Sequence, residues 1–461
     1  MAARLDFLKI NPGPRGWFEG RRVLVIGLGK SGAAAAALLA RLGARVSVTE
    51  NRPPAAVRFG RRFLPAGVAC ETGGHELLEE AWDLIVPSPG VPSALWASRA
   101  RRGTPVWGEL ELGYRVLRSA GRWPARVAAV TGTNGKTTTT ALLGAMAKAD
   151  GLPTVMAGNI GTPLCAVADR LSADSVLILE VSSYQLETTA AFRPLVGVVL
   201  NVTPDHLGRH GTMARYAQAK FRLFQSQGPG DAAVLNAKDP VCRRWARGVP
   251  GQVAWFGNRR PGVRWDGRGL VSTLPGGGGR WSAPALLAGR HNLENAAAAV
   301  AAARRLGFSP GAIARALKDF PGVEHRLEMV REWRGVRWVN DSKATNVDAT
   351  LVALRAFAGN LRVILGGRDK GAPYAPLRRE IRRKAREVML IGEAAEKIAR
   401  DLAGTVPLVR CGTLERAVRR AASTAWPGDV LLLSPACASF DQFKDFEHRG
   451  RRFKELVRAL R

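Results

Sequence analysis

A glycine-rich segment between an apolar run and a helical pattern carries the clearest chemistry in this chain. Residues 129–138 read AVTGTNGKTT, and the apolar run 126–130 leads into them. Backbone N–H groups in such a turn, together with the N-terminus of the helix that follows, bind the oxygens of a phosphate. Lys136 is placed to reach the outer phosphates of a nucleotide, and the Thr137 hydroxyl is placed to hold Mg²⁺. We therefore predict a nucleotide-binding loop, a partial match to the general pattern because Val130 stands where that pattern has glycine.

A second glycine-rich turn follows the first strand pattern of the chain. Residues 27–32 read GLGKSG, which completes GxGxxG, and Glu50 ends the next strand pattern 18 residues after Gly32. By pattern alone this turn favours a dinucleotide, with Glu50 on a ribose hydroxyl. A Rossmann-like pocket for another nucleotide diphosphate is the alternative.

Polar residues stand at the ends of two further apolar runs. Glu180 follows the run 175–179, and the run 195–200 leads into the stretch 201–206, NVTPDH, which ends in His206. An uncompensated buried carboxylate is costly, so a cation near Glu180 is expected. Oxygen and nitrogen ligands at neighbouring strand ends suit Mg²⁺ beside a phosphate-binding loop. A capping role for Glu180 and a surface position for His206 are the alternatives.

Lysine is scarce, and this makes its presence in the motifs informative. Only 13 of the 69 basic side chains are lysines. A lysine inside a motif therefore indicates chemistry that arginine does not do. Lys136, Lys220 and Lys343 are such cases. Lys220 lies on the helical pattern 216–222, where a lysine is otherwise solvated.

Alternating strand and helix patterns must position these motifs. They predict an α/β fold with three domains. These are a Rossmann-like N-terminal domain over 1–117, a P-loop ATPase-like central domain over 118–321 and a Rossmann-like C-terminal domain over 322–461. A stretch that contains Arg, Gly and Pro at 114–124 is the predicted linker between the first two domains.

Composition argues against several classes of protein. No apolar run reaches the ~18 residues that a membrane span needs, and residues 1–16 contain no apolar segment of signal-peptide type. Five cysteines without a CxxC pair indicate a reduced, cytoplasmic protein with neither a disulfide framework nor a structural zinc site. The net charge of +31 is compatible with nucleic-acid binding. We interpret it as compositional, because the arginines are spread over the whole length and are not interleaved with aromatic residues.

The GTNGKT form at 132–137 resembles the loop of the Mur ligases, the ATP-dependent amide-bond formers of peptidoglycan synthesis, and similar stretches extend from Val23 to Phe446. The segments DSKATN (341–346) and SPACASFDQF (434–443) resemble the branch of the family that adds D-glutamate. The resemblance implies an acid–amino-acid ligase that joins D-glutamate to UDP-N-acetylmuramoyl-L-alanine through an acyl phosphate and forms ADP. In this family the GxGxxG turn holds the UDP of the substrate.

The same resemblance assigns residues to four sites. The ATP site comprises Gly132, Thr133, Asn134, Gly135, Lys136, Thr137, Thr138, Asn295, Arg326 and Asp341. Magnesium is assigned to Thr137, Glu180, His206 and Lys220, with CO₂ carried on the Lys220 amine as a carbamate that supplies oxygen ligands. The UDP substrate is assigned to Lys30, Ser31, Asn51, Arg52, Gly90 and Asn159, and D-glutamate to Lys343, Thr345, Ser439 and Phe446. The catalytic side chains among these are Lys136, His206 and Lys220.

D-Glutamate carries two carboxylates, and two anion sites at a fixed separation would select its length and one enantiomer. Lys343 supplies a point charge for one carboxylate. The start of a helix expected after Ser434-Pro435, with Ser439 and the N–H groups near Phe446, supplies the other.

The expected partners are small molecules: ATP, UDP-N-acetylmuramoyl-L-alanine and D-glutamate, with Mg²⁺. We expect no specific nucleic acid, no membrane contact and a monomer. Another Mur ligase or a folylpolyglutamate synthase would share the phosphate loop and the metal ligands. An NAD-dependent oxidoreductase would use GxGxxG but leave the phosphate loop without a role. A basic nucleic-acid-binding ATPase would leave the N-terminal block unexplained.

Overall fold

Three β-sheets organise the chain. The structure, a computed structural model, describes residues 13–101, 103–275, 278–283, 290–369 and 371–460. The expectation about a signal segment concerns residues 1–16, most of which lie outside this part. Among the described helices, none combines the length and the apolar character that a bilayer crossing requires.

Nineteen strands are present in the described part of the chain. They are β1 (Arg22–Ile26), β2 (Arg45–Glu50), β3 (Ala69–Thr72), β4 (Leu84–Pro87), β5 (Arg126–Thr131), β6 (Thr154–Gly158), β7 (Val176–Glu180), β8 (Val196–Val199), β9 (Ala232–Asn236), β10 (Gln252–Phe256), β11 (Gly262–Trp265), β12 (Leu270–Ser272), β13 (Gly279–Trp281), β14 (Glu328–Trp333), β15 (Val336–Asn340), β16 (Leu361–Gly366), β17 (Ala385–Ile391), β18 (Leu408–Gly412) and β19 (Val430–Leu433).

Eighteen α-helices accompany these strands in the same described residues. They are α1 (Gly13–Phe18), α2 (Lys30–Arg41), α3 (Arg58–Arg61), α4 (Ala97–Arg101), α5 (Glu109–Ser119), α6 (Lys136–Ala149), α7 (Leu164–Val167), α8 (Ser183–Leu186), α9 (Leu207–His210), α10 (Met213–Phe221), α11 (Pro240–Trp245), α12 (Arg290–Arg305), α13 (Pro310–Asp319), α14 (Val347–Arg355), α15 (Arg378–Lys384), α16 (Ala395–Asp401), α17 (Leu414–Thr424) and α18 (Phe446–Arg458).

The first sheet has the strand order β3-β2-β1-β4, and all its neighbouring strands are parallel. The central strand β1 is apolar and buried from Val23 to Ile26, as expected for a parallel strand covered on both faces. The GxGxxG turn follows β1 directly, so it lies at the carboxyl edge beside the ends of β2 and β4. Open α/β sheets bind their ligands at this edge.

The second sheet has the order β13-β12-β11-β10-β9-β8-β5-β7-β6. It is parallel from β6 to β11, whereas β11, β12 and β13 pair antiparallel. The phosphate loop follows β5, which lies between β7 and β8. Glu180 ends β7, and the stretch 201–206 follows β8. The strand order therefore brings the three predicted motifs to one edge of the sheet.

The third sheet has the order β14-β15-β19-β16-β17-β18, with only β14 antiparallel to its neighbour among the described pairs. The last strand, β19, inserts between β15 and β16. The segments 341–346 and 434–443 follow β15 and β19, so they start at adjacent strand ends. The predicted α/β fold class is confirmed by these three sheets.

The described residues divide into two compact units, with the division at Phe320 and Pro321 and with 290–293 belonging to the second unit. The first and second sheets lie in the first unit, and the third sheet lies in the second unit. The boundary between the first two predicted domains, 117/118, stays a prediction.

The predicted linker at 114–124 starts inside a helix, because α5 continues to Ser119 and buries Tyr114 and Leu117. The Glu111 side chain near the start of this helix is completely buried. Its carboxylate accepts hydrogen bonds from the backbone N–H groups of residues 190–192, at 2.9–3.1 Å, and from Arg115 Nε at 2.7 Å. Glu111 thus ties α5 to a turn of the second sheet, and the helix is a junction rather than a linker.

Glu109 makes a second buried contact between α5 and the rest of the first unit. Its Oε1 accepts a hydrogen bond from Cys165 N at 2.7 Å, at the start of α7. Within the described residues, its buried Oε2 has no hydrogen-bond partner. Burial raises the pKa of Glu109 from 4.5 to about 7, although the N–H of Cys165 opposes this shift.

Glu109→Gln is expected to change how stability depends on pH. Because the pKa of Glu109 is raised in the folded state, its contribution to stability is present below pH 4.5 and is lost as the pH rises through about 7. The variant lacks this titration, so its unfolding free energy relative to wild type should increase between pH 5 and pH 8, by up to about 3 kcal/mol. Thermal unfolding at both pH values measures this. The exposed Glu19→Gln variant is the control, and an equal offset at both pH values for Glu109→Gln would contradict the expectation.

Candidate active site

The phosphate loop takes the backbone conformation that its sequence predicts. Gly135 has φ 87° and precedes α6, and it leaves room for a neighbour: a Cβ there would lie 2.2 Å from Asn295 Oδ1. Glycine is therefore required both by the left-handed backbone and by the close approach of Asn295. The structure thus brings Asn295, predicted to contact ATP, against the predicted phosphate loop.

Lys136, the first residue of α6, folds back over this loop. Its Nζ donates to the carbonyl oxygens of Gly132 at 2.9 Å and Thr133 at 3.0 Å. The ammonium group is therefore held against the loop, at the N-terminus of α6. Thr138, on the same turn of α6, is buried.

Thr137 and Glu180 are joined directly. Thr137 Oγ1 donates to Glu180 Oε2 at 3.0 Å, and Glu180 Oε1 accepts a hydrogen bond from Asn159 Nδ2 at 2.8 Å. Glu180 is buried, and the hydroxyl and carboxylate oxygens are the hard donors that Mg²⁺ prefers. The donor set therefore fits a magnesium ion. Asn159 thus lies beside Glu180, and its assignment to the UDP substrate stays a prediction.

Lys220 is buried beneath the same loop. On α10, it exposes only 1% of its surface, and its Nζ lies 3.1 Å from the Gly132 carbonyl oxygen. Burial lowers the pKa of Lys220 well below its usual value, and the nearby charge of Lys136 lowers it further, while Asp205 and Glu180 oppose the shift. Lys220 is therefore not the solvated helix lysine that its position on a helix would suggest.

His206 stands at the edge of this group. Its backbone is left-handed, with φ 54°, a strained conformation for a non-glycine residue. Its Nδ1 lies 3.1 Å from the Tyr184 hydroxyl, and 48% of its side chain is exposed. The ring of Tyr216 lies close to both His206 and Lys220. Its centroid is 6.4 Å from the centroid of the His206 ring and 4.7 Å from Lys220 Nζ.

Two residues that hold the loop received no role from the sequence. Asn201, which follows β8, accepts a hydrogen bond from Asn134 N at 2.8 Å and donates to the Asn134 carbonyl at 3.1 Å. The Tyr216 hydroxyl lies 3.0 Å from Thr133 Oγ1. A signal for Tyr216 was present, because it stands four residues before Lys220 and therefore on the same helix face.

The residues predicted for the UDP substrate, apart from Asn159, gather at the carboxyl edge of the first sheet. Lys30 and Ser31 begin α2, Asn51 and Arg52 follow β2, and Gly90 follows β4. Most of them are exposed; Ser31 is half-buried. The third glycine of the motif, Gly32, packs so closely that a Cβ would lie 1.9 Å from the Gly27 carbonyl oxygen.

Both carboxylate oxygens of Glu50, which the pattern assigned to a ribose hydroxyl, already accept hydrogen bonds within the protein. Its Oε2 accepts hydrogen bonds from Leu28 N at 2.8 Å and Arg52 Nη2 at 2.8 Å, and its Oε1 accepts from Arg52 N and Nε at 3.0 Å. Hydrogen bonds from the Arg52 side chain lower the pKa of Glu50 to about 2, against the effect of burial. Glu50 therefore braces the glycine-rich turn and orients Arg52.

In the second unit, Arg326 and Asp341 form a pair, with Nη1 3.8 Å from Oδ1. Asp341 is completely buried and also accepts hydrogen bonds from Ser434 Oγ at 2.9 Å and Leu327 N at 3.2 Å. Burial raises the pKa of Asp341 to about 6, although Arg326 and Ser434 oppose the shift. In this structure Asp341 supports Arg326 and the turn around it, and its predicted contact with ATP stays a prediction.

The residues predicted for D-glutamate come together at the carboxyl ends of β15 and β19. Lys343 Nζ lies 5.3 Å above the Phe446 ring, and Thr345 N donates to the Lys343 carbonyl at 2.9 Å. The two segments are joined by a hydrogen bond from Ala436 N to the Ala344 carbonyl at 2.9 Å. Ser439 is buried, with 2% of its surface exposed.

The helix expected after Ser434-Pro435 is α18. Residues 434–445 form turns, and α18 begins at Phe446. Asp445 caps its N-terminus, because Asp445 Oδ1 accepts a hydrogen bond from His448 N at 2.6 Å. This cap satisfies one N–H group at the helix start, and the expected anion site at Ser439 and the N–H groups near Phe446 stays a prediction.

Two family models match this chain. The family model described as the Mur ligase middle domain matches residues 130–303, and the model described as the Mur ligase, glutamate ligase domain matches residues 325–437. These ranges contain the phosphate loop with Lys220 and the loop with Lys343, respectively.

Two curated relatives align with almost the whole chain. A UDP-N-acetylmuramoylalanine–D-glutamate ligase of Solibacter usitatus is 48% identical, with 96% of this chain and 98% of the relative covered. A protein of the same name from Anaeromyxobacter dehalogenans is also 48% identical, with 95% and 98% covered.

Solved structures share the fold at low sequence identity. A UDP-N-acetylmuramate–alanine ligase of Thermotoga maritima has a TM-score of 0.62 at 18% identity, with 95% of this chain and 99% of that chain covered. A pseudomurein peptide ligase type C of Methanothermus fervidus has a TM-score of 0.60 at 20% identity, with 96% and 100% covered. From the two family models and the near-full-length relatives, we conclude that this chain belongs to the Mur ligase family.

Proposed function

We infer that this protein is an ATP-dependent ligase that adds D-glutamate to UDP-N-acetylmuramoyl-L-alanine in the synthesis of peptidoglycan precursors. The relatives that align with almost the whole chain carry that activity in their names. The structural observation that carries the inference is the convergence of Lys136 and Lys220 on the Gly132 carbonyl, at 2.9 and 3.1 Å. A phosphate loop that only hydrolyses a nucleotide needs the first lysine; the second, buried lysine indicates an additional task at the same place.

Amide formation from a carboxylate requires activation, because oxide is a poor leaving group. The γ-phosphoryl group of ATP is transferred to the carboxylate of UDP-N-acetylmuramoyl-L-alanine, which gives an acyl phosphate and ADP. The amine of D-glutamate then attacks the acyl carbon, and the tetrahedral intermediate expels phosphate. Lys136 stabilises the negative charge on the phosphoryl group during its transfer.

The magnesium site is proposed at Thr137 and Glu180, with His206 and the carbamate of Lys220 as further ligands. Their side chains supply oxygen and nitrogen donors beside the phosphate loop, and the Thr137–Glu180 contact of 3.0 Å already groups two of them. Bound Mg²⁺ would neutralise charge on the ATP phosphates.

The carbamate on Lys220 is proposed for three physical reasons. Only an uncharged amine adds CO₂, and burial lowers the pKa of Lys220 well below its usual value. Addition of CO₂ to the neutral amine releases a proton and leaves an anion, which is favourable next to Lys136, where a buried ammonium group would be costly. A carbamate also presents two oxygens where an ammonium group presents none.

The two substrates other than ATP are assigned to separate sets of residues. The UDP substrate is proposed at Lys30, Ser31, Asn51, Arg52 and Gly90, at the exposed carboxyl edge of the first sheet, and at Asn159. D-Glutamate is proposed at Lys343, Thr345, Ser439 and Phe446. ATP is proposed at the loop residues 132–138, Asn295, Arg326 and Asp341.

We further propose that the protein acts in the cytoplasm as a monomer, with the domains 1–117, 118–321 and 322–461. Its partners are the three substrates, without a nucleic acid or a membrane. The inferred activity is tested by release of phosphate from ATP with UDP-N-acetylmuramoyl-L-alanine as acceptor. D-Glutamate should support the reaction and L-glutamate should not; equal rates with both enantiomers, or phosphate release without the acceptor, would contradict the proposal.

Lys343→Ala is expected to raise the KM for D-glutamate at least ~10-fold, because a charge-assisted contact contributes roughly 1.5–3 kcal/mol. The KM for ATP should change less than ~2-fold, since the predicted contact of Lys343 is with the amino acid alone. Steady-state kinetics with each substrate varied in turn measures both constants. Lys318→Ala, an exposed lysine of α13, serves as the control. If the variant were affected only in the KM for ATP, the assignment of Lys343 would be wrong.

A further inference from the structure

A buried arginine, Arg449, lies behind the proposed D-glutamate site. It stands in the first turns of α18 and exposes 1% of its surface. Its Nε donates to Ser342 Oγ at 3.0 Å and its Nη2 to the Ser342 carbonyl at 2.9 Å. The same Nη2 donates to the Cys437 carbonyl at 3.2 Å, and Nη1 donates to the Ala438 carbonyl at 3.3 Å.

These acceptors belong to two separate loops. Ser342 lies in the segment 341–346 after β15, and its Oγ donates to the Phe446 carbonyl at 2.8 Å, at the start of α18. Cys437 and Ala438 lie in the segment 434–443 after β19. One planar group therefore links both loops and the helix from which it projects, and all of these residues lie in the second unit.

The bonded atoms adjoin the residues proposed to bind the amino acid. Ser342 precedes Lys343, and Ala438 precedes Ser439. A shift of either loop relative to the other would change the separation of these two anchors. We propose that Arg449 is a positioning residue that fixes the distance between the Lys343 and Ser439 anchors and thereby makes the site select a dicarboxylic amino acid of glutamate length. This inference rests on the proposed addition of D-glutamate.

The geometry requires arginine at this position. A guanidinium group has five N–H donors in one plane, whereas the lysine ammonium is a compact point charge with three. In the described part of the chain no carboxylate forms an ion pair with Arg449 within 4 Å, and the four acceptors named above are neutral oxygens. Burial lowers the pKa of Arg449 to about 10, although Asp441 and Cys437 oppose this. Burying a charge among four neutral acceptors costs stability. Such a cost is consistent with a role in holding the shape of the site.

The experiment compares wild type with Arg449→Lys, which keeps the positive charge and removes the planar set of N–H donors. The KM for D-glutamate should rise ~10-fold or more, and that for ATP should stay within ~2-fold. The ratio of kcat/KM for D-glutamate to that for D-aspartate, and to that for D-2-aminoadipate, should fall at least ~10-fold, because the spacing of the anchors is no longer fixed. Arg452→Lys, at a half-exposed position on the same helix that pairs with Glu415, is the matched control and should keep all these values.

A second variant covers the case in which Arg449→Lys does not fold, as judged by circular dichroism and thermal unfolding. Ser342→Ala removes one acceptor of Arg449 and leaves the backbone contacts, and it should lower the same selectivity ratios in the same direction, by ~3-fold or more. The inference is overturned if the folded variants lose only kcat, with KM for D-glutamate and the selectivity ratios unchanged. Failure of the proposed function is a different result: wild type itself would not use D-glutamate.

Discussion

Lys220→Arg is expected to lose phosphate release as completely as Lys220→Ala, with kcat reduced at least ~100-fold in both variants. Arginine keeps a positive charge and cannot become the uncharged amine that adds CO₂, because the guanidinium group stays protonated at the pH of the assay. The guanidinium group is also larger than the amine, and the site is closely packed, because Lys220 exposes only 1% of its surface. A solvated helix lysine would tolerate the same change at less than ~0.5 kcal/mol.

Direct detection of the modification separates the carbamate from a simple steric effect. Incubation of the wild-type protein with ¹³C-bicarbonate should give a protein-bound carbamate resonance that both Lys220 variants lack. Lys148→Arg, on the exposed face of α6, should retain the activity and the resonance. Wild-type turnover in the Lys220→Arg variant would rule out the role that we propose for this residue.

Lys136→Ala is expected to abolish ATP-dependent phosphate release while leaving the fold intact. Removal of one preorganised group that stabilises transition-state charge typically costs ~10²–10³ in kcat. The unfolding free energy should fall by only about 1 kcal/mol, since hydrogen bonds to the carbonyls of Gly132 and Thr133 are exchanged for bonds to water. Phosphate release and thermal unfolding, each compared with Lys148→Ala, measure the two effects. A folded variant with near-normal turnover would show that the phosphate loop is assigned wrongly.

Most of the fold, and the meeting of three predicted motifs at one edge of the second sheet, were predictable because both follow from local patterns. Apolar runs that end in polar residues predicted the strands, and parallel strands bring their carboxyl ends to one edge. The meeting of Thr137 with Glu180 follows from this rule. Chain order alone, however, does not reveal that β19 inserts between β15 and β16, because that choice depends on non-local packing.

The features that the sequence did not reveal concern residues whose partners are distant in the sequence. The stretch 114–124 was predicted as a linker, but α5 continues to Ser119. Glu111, near the start of this helix, accepts hydrogen bonds from three backbone N–H groups about 80 residues away. Arg449 could not be distinguished by sequence in a chain so rich in arginine, since only its buried hydrogen bonds set it apart.

The junction at α5 determines where the chain can be cut into pieces that still fold. A fragment that ends at residue 117 would break α5 before its last turn and separate Glu111 from the N–H groups of residues 190–192. Each half would then expose apolar surface, and three backbone donors would lose the carboxylate that satisfies them. The first sheet should therefore be expressed together with the second, as a fragment that extends to Phe320, where the division between the two units falls. Limited proteolysis of the intact protein should accordingly spare residues 109–119, and an inserted peptide should be tolerated better in the exposed turn at Gly121 than anywhere along that helix.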